Sequence, residues 1–102
     1  MILFALLTLL AAPTAVDEWD ALRTRVEKAP REVALFIERR AGCNHFLGEE
    51  RYDRHRRAQI EKALRELKCG RIARDERALR RTYRQEASVL QLLTDTADLL
   101  AW

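Results

Sequence analysis

Residues 53–70 read DRHRRAQIEKALRELKCG, and this stretch carries the clearest helical pattern of the chain. Its apolar residues are spaced three, one and three positions apart; they are Ile60, Ala63, Leu64 and Leu67. Such spacing places them on one face of an α-helix. Asp53 stands where an N-cap is expected, and Cys69 with Gly70 marks the end. We therefore predict an amphipathic helix that follows Asp53.

Two helical patterns precede this stretch. The first has Asp17 as a candidate N-cap and Pro30 at its close, and its apolar residues are Trp19, Leu22 and Val26. The second begins at Pro30, ends at Gly42, and has an apolar face of Val33, Phe36, Ile37 and Ala41. Residues 33–37 would alternatively suit a buried strand. No second strand pattern exists to pair with them, so we predict a helix.

Helical patterns also follow Gly70. Asp75 is a candidate N-cap for a fourth helix, with Leu79 and Tyr83 facing inward. The apolar residues of the last helix are Val89, Leu90, Leu93, Leu99 and Leu100. A break is expected near Gln85, although one continuous helix from Asp75 is the alternative. The predicted fold is all-α: a small bundle of four to five short helices in a single domain, residues 16–102.

The N-terminal segment is typical of a secretory signal peptide. Residues 2–12 form an apolar run of eleven residues. A helix that spans a bilayer needs about 20 residues, so this run is too short. Small residues and two acidic residues follow, so we expect a signal peptide over residues 1–15, cleaved near Ala15. A core helix is the alternative. The expected location is periplasmic or secreted, with no membrane span in the mature chain.

The chain has two cysteines, Cys43 and Cys69, which lie 26 positions apart. Exported proteins fold where thiols oxidise, so we expect one disulfide between them. A small domain buries a modest fraction of its surface, and closing a loop of this length would stabilise it by about 3 to 4 kcal/mol.

The segment 43–53 lies between two helical patterns, and we expect it to be a loop that binds a partner. The candidate binding residues are Asn44, His45, Phe46, Glu49, Glu50, Tyr52 and Asp53. Phe46 is the candidate interface anchor. The core is the simplest location for the other aromatic side chains: Trp19, Phe36, Tyr52 and Tyr83. In the alternative, His45 hydrogen-bonds a helix end while Glu49 and Glu50 pair with Arg51 or Arg54.

Two chemical sites are alternatives to simple binding. His45 with Glu49 or Glu50 would suit acid/base chemistry, but no oxyanion or Gly-rich motif accompanies them, and we assign no catalytic residue. Cys43, His45 and Cys69 are zinc-type ligands. Oxidation of both cysteines would remove two of those donors, so we expect neither a metal nor a cofactor.

Charge is distributed unevenly along the chain. Residues 51–84 carry a net charge of +8, whereas residues 1–50 carry −2 and residues 85–102 carry −3. The candidate basic patch lies on one side of a helix and comprises Arg74, Arg77, Arg81 and Arg84. It predicts an anionic envelope component or an acidic protein as partner, and an ordinary solvated face is the alternative. Export and the lack of a nucleic-acid-binding motif argue against nucleic acid.

The chain contains a distinctive sequence pattern around its first cysteine. It consists of Cys43-Asn44-His45, Gly48-Glu49-Glu50, Tyr52-Asp53 and a second cysteine. It resembles a group of small exported bacterial proteins of uncharacterised function, over residues 36–93. The resemblance implies export and a two-cysteine helical domain, and it implies no activity.

The leading functional hypothesis is a non-enzymatic exported module whose segment 43–53, held by the disulfide, contacts an envelope or protein partner. An inhibitor of a cell-wall or foreign hydrolase is the first alternative. A small His/Glu or metal-dependent hydrolase is the second.

Overall fold

The computed structural model describes residues 14–101 together with Ala5 and Ala12. Its five α-helices are α1 (Ala15–Lys28), α2 (Arg31–Leu47), α3 (Arg54–Glu66), α4 (Ile72–Thr82) and α5 (Ala87–Asp95), and a short 3₁₀ helix spans Cys69–Arg71. The prediction of a small all-α bundle with one disulfide is confirmed. The strand alternative for residues 33–37 is wrong, since they lie within α2.

Apart from Ala5 and Ala12, the predicted signal-peptide core lies outside the described residues. The first described helix begins at Ala15, with Thr14 as its N-cap, and not after Asp17. Thr14 Oγ1 accepts a hydrogen bond from the Asp17 backbone N–H, and the Asp17 carboxylate accepts one from the Thr14 N–H. Asp17 therefore contributes to a capping box from the first turn of the helix. Among the described residues, no helix combines the length and apolar content that crossing a membrane requires.

Helix α2 is the centre of the bundle and contacts α1, α3, α4 and α5. Its inward side carries the predicted apolar face, of which Val33 and Ile37 are fully buried. The other buried members of this cluster are Val26, Phe36, Ala41, Val89, Leu92, Leu93 and Leu99. Leu79 and Tyr83 pack partly buried against it, as predicted. Helix α2 thus carries residues from the core to the end of the bundle where the candidate site lies.

Helices α2 and α3 approach closely at Gly42. A Cβ at this position would lie 3.1 Å from Leu67 Cδ1, which is tighter than ordinary van der Waals contact. The prediction that Gly42 ends the second helix is wrong, because α2 continues to Leu47. The glycine instead leaves room for Leu67 beside a continuous helix. Gly48 is the actual C-cap, and its N–H donates to carbonyl oxygens of the last turn.

The start of α4 also differs from the prediction. The helix begins at Ile72, and Asp75 lies in its first turn instead of capping it. Arg39 Nη2 donates to Asp75 Oδ2 at 2.5 Å, and this hydrogen bond holds the pKa of Asp75 below its usual value. Asp75 therefore pairs α4 with α2.

The break expected near Gln85 is present, because α4 ends at Thr82 and α5 begins at Ala87. Leu99 is buried as predicted, but it follows the end of α5, and Leu100 is exposed. The prediction that the aromatic side chains lie in the core is likewise correct for some of them and wrong for others. Phe36 is buried, whereas Trp19 and Tyr52 are exposed and do not belong to the core.

Candidate functional site

The segment 43–53 was predicted to be a loop, and this is wrong for its first half. Residues 43–47 form the last turns of α2, and the loop before α3 covers residues 48–53. Asn44, His45 and Phe46 are therefore fixed by helical backbone, and Glu49, Glu50 and Tyr52 are on the loop. The candidate site is built from a helix end and the connection that leaves it.

The Cys43–Cys69 disulfide holds this end of α2 against the chain that follows α3. The two Cα atoms are 5.7 Å apart, and Cys43 is buried. Both sulfur atoms are consumed by the bond, so neither is a thiolate nucleophile or a metal ligand. Among the described residues, no group of three or more histidine, cysteine or acidic side chains is placed to hold a metal ion.

Asn44 ties the site to the segment that follows α5. Its Nδ2 donates to the carbonyl oxygens of Ala97 and Leu99, with both distances 3.0 Å. Side-chain bonds to backbone carbonyls satisfy groups that would otherwise be unpaired after a helix end. Asn44 therefore positions residues 97–100 against the last turn of α2.

Glu49 links His45 to Arg56. His45 Nε2 is 3.2 Å from Glu49 Oε1, and Arg56 Nη2 is 3.6 Å from Glu49 Oε2. Each of the three side chains is only partly buried. The Phe46 ring meets the imidazole of His45 edge to face, with ring centroids 5.0 Å apart. The carboxylate and the phenyl ring together orient the imidazole.

A surface depression of about 450 Å³ opens beside these residues. It is lined by Asn44, His45, Gly48, Glu49, Glu50, Tyr52 and Leu100. Tyr52 is 75% exposed and Leu100 is 55% exposed, so an aromatic and an aliphatic side chain stand at its edge. The depression combines an acidic pair, an imidazole and apolar surface, which suits recognition of a polar group beside an apolar one.

Five of the seven candidate binding residues line this depression, and Phe46 and Asp53 do not. Asp53 is the N-cap of α3, as predicted, and its Oδ1 accepts from the Arg56 N–H at 2.7 Å. Sequence reasoning missed Arg56 and Leu100. The sequence held a signal for Arg56, because a residue three positions after the predicted N-cap Asp53 lies in the first turn of α3, next to the loop. Leu100 lies at the depression because Asn44 binds the backbone of the residues just before it, Ala97 and Leu99. No local sequence pattern indicates these long-range hydrogen bonds.

The four arginines of the candidate basic patch are all exposed. Arg74, Arg77 and Arg81 lie in α4, whereas Arg84 follows its end and donates to the Arg81 carbonyl oxygen at 3.2 Å. None of the four lines the depression beside His45. Any anion that they bind would therefore occupy a different surface.

Comparison of the chain with protein-family models, curated proteins and solved structures finds no match.

Proposed function

We propose that this protein is an exported, non-enzymatic binding module that recognises a protein partner through the depression beside His45. The observation that carries the proposal is the convergence of Asn44, His45, Glu49, Glu50 and Tyr52 on one surface. The disulfide supports the export part of the proposal, because disulfides persist in oxidising compartments.

The chemistry of the depression favours binding over catalysis. Cys43 is oxidised, and the carboxylate nearest His45 is already shared with Arg56. Tyr52 supplies a large contact area with few rotatable bonds, which is typical of interface anchors. We expect the partner to place a donor group against Glu50 and an apolar side chain between Tyr52 and Leu100.

The shape of the site favours a receiving surface over an inserting one. A hydrolase inhibitor that blocks a cleft needs a protruding segment, whereas Gly48, Glu49 and Tyr52 line a concave surface. The disulfide and the two bonds of Asn44 hold that surface on both sides. Such preorganisation reduces the entropy lost on binding.

The test compares site variants with matched controls in capture from envelope extracts, followed by binding of the purified partner. His45→Ala, Glu49→Gln and Tyr52→Ala alter the depression. His55→Ala and Glu61→Gln make the same kinds of change at exposed positions of α3. We expect one protein to be captured by the wild type and both controls, with Kd raised about tenfold or more by Tyr52→Ala. Equal capture by the site variants, with unchanged circular dichroism, would refute the proposal.

A further inference from the structure

A second surface lies beside the disulfide, where an open groove of about 600 Å³ is lined by Leu47, Leu64, Arg65, Lys68, Cys69, Gly70 and Arg71. Leu47 is 60% exposed at the last position of α2, and Leu64 is half-buried. Little polar surface is present on the groove floor. An exposed leucine next to a second leucine gives this end of the bundle an apolar surface that no element of the described residues covers.

The groove carries positive charge only. Arg65, Lys68 and Arg71 line it, and no acidic residue does. From Arg71 the positive charge continues along α4 through Arg74, Arg77 and Arg81, at intervals of three, three and four positions. These residues are exposed. Three of the four arginines of the predicted basic patch therefore follow the groove at helical spacing.

Lys68 occupies a backbone conformation that glycine usually takes. It follows the end of α3 with φ 54° and ψ 48°, and among the described residues it is the one with a positive φ. Glycine or asparagine normally occupies this left-handed position after a helix, because a Cβ makes it unfavourable. A lysine here adds a charge to the groove at the expense of local backbone stability, which indicates that the charge has a use.

We propose that this groove docks the protein on the surface of an anionic phospholipid bilayer, with Leu47 entering the interface and the cations contacting phosphate groups. Peripheral attachment of this kind combines buried apolar area with attraction to anionic lipids. Long cationic side chains extend from apolar surface to head groups. An acidic peptide would satisfy the charges, but the apolar floor offers few partners for its backbone.

Docking here leaves the depression beside His45 free. His45 and Leu47 are two positions apart in α2, which corresponds to about 200° around a helix. They face opposite sides, so bilayer attachment and partner capture are separate activities that can fail independently.

The experiment measures co-sedimentation of the oxidised protein with vesicles of equal parts phosphatidylglycerol and phosphatidylcholine, and with phosphatidylcholine alone. Arg65→Gln with Arg71→Gln removes two groove charges. Lys28→Gln with Arg31→Gln removes two charges near the start of α2, at the last residue of α1 and the first of α2. Arg31 lies about 24 Å along α2 from Leu47, at 1.5 Å per residue. Leu47→Ser is matched by Leu35→Ser, an exposed leucine elsewhere on α2.

We expect binding to the anionic vesicles only. The groove charge variant should bind about 25-fold more weakly, from about fivefold per cation, and Leu47→Ser about tenfold more weakly. Lys68→Gly should weaken binding without lowering the urea midpoint of unfolding, since it relieves the backbone. Both control variants should bind within about threefold of the wild type, because the charges of Lys28 and Arg31 lie more than a Debye length of about 10 Å from the groove and Leu35 does not line it.

Three outcomes would overturn the proposal. The first is an absence of binding to anionic vesicles. The second is an equal loss in the control variants, which would indicate nonspecific attraction by total charge. The third is tighter binding to polyglutamate than to vesicles, which would assign the groove to an acidic protein.

Discussion

Arg40 donates from Nη2 to the hydroxyl oxygen of Thr96, with 2.8 Å between the two atoms, although both side chains are buried. The same nitrogen donates to the Leu93 carbonyl oxygen at 2.8 Å, near the end of α5, and Nη1 donates to Glu76 in α4. Burial lowers the pKa of Arg40, while Glu76 acts in the opposite direction. One guanidinium therefore connects α2, α4 and α5.

Replacing this guanidinium should destabilise the bundle. Arg40→Met keeps much of the side-chain length but leaves the Leu93 carbonyl without its side-chain donor and leaves Glu76 with Arg80 as its remaining partner, so we expect a loss of about 2 to 4 kcal/mol in the free energy of unfolding. Thr96→Val should cost about 1 to 2 kcal/mol. Urea unfolding checks both. Arg84→Met, at an exposed position, is the control and should stay within about 0.5 kcal/mol of the wild type; an equally small change for Arg40→Met would contradict the network.

Tyr83 should ionise at unusually high pH. Its hydroxyl donates to the Glu32 carboxylate, and this hydrogen bond, with desolvation and the negative charges of Glu32 and Glu86, raises the pKa of Tyr83 to about 12. Because the folded pKa exceeds the ordinary value of 10.0, the stabilisation is complete below pH 10 and is lost as the pH rises through about 12. Tyrosinate absorbance in a Tyr52→Phe background, where Tyr83 is the one remaining tyrosine, measures this directly.

Glu32→Gln in that background should return the pKa of Tyr83 toward 10.0, because the variant removes the charged acceptor. If Tyr83 ionises near pH 10.0 both in Tyr52→Phe and in Tyr52→Phe with Glu32→Gln, the Tyr83–Glu32 contact does not persist in solution.

The disulfide should contribute about 3 to 4 kcal/mol to the free energy of unfolding, from the entropy of closing a loop across 26 positions. Urea unfolding of the oxidised protein and of the Cys43→Ala, Cys69→Ala double variant gives the difference. Intact mass with and without reductant establishes the redox state of each sample. Material secreted with both thiols free would contradict the structure.

Gly42 should tolerate a methyl group but not a larger side chain. For Gly42→Ala, the gain in helix propensity, about 0.5 to 1 kcal/mol, is offset by displacing the half-buried Leu67. Gly42→Leu should destabilise by about 1 to 3 kcal/mol through overpacking. Gly70→Leu is the matched control, because no heavy atom lies within 4 Å of the position that a Cβ would take there. Equal effects at both glycines would exclude close packing of α2 on α3.

The helical parts of the fold were predictable because apolar spacing reports which face of a helix is buried. The buried stripe of α2 and the cap at Asp53 follow from such local signals. The pairing of the cysteines followed from their number and the expected export. The break between α4 and α5 was also anticipated, since the apolar pattern changes there.

The errors arose where a residue has a tertiary role that its usual local role conceals. Gly42 resembles a helix stop but provides space for Leu67, and Asp75 resembles a cap but accepts from Arg39. Cys69 with Gly70 was predicted to mark the end of the third helix, but α3 ends at Glu66 and the left-handed residue that follows it is Lys68. Burial of Arg40 was not anticipated either, because an arginine is buried only when partners from distant helices converge on it.

The bonds from Asn44 to Ala97 and Leu99 join positions 53 and 55 residues apart. The apolar wall that Leu100 adds to the depression therefore does not exist in any fragment that stops after α5, even if α2, α3 and the disulfide have formed. A protein truncated after α5 would keep the Cys43–Cys69 disulfide, but His45 and Glu49 would lie on an open surface. Clipping after Asp95 would remove this wall together with the buried Thr96 and Leu99, so the loss of the binding that we propose would be accompanied by a weakened core.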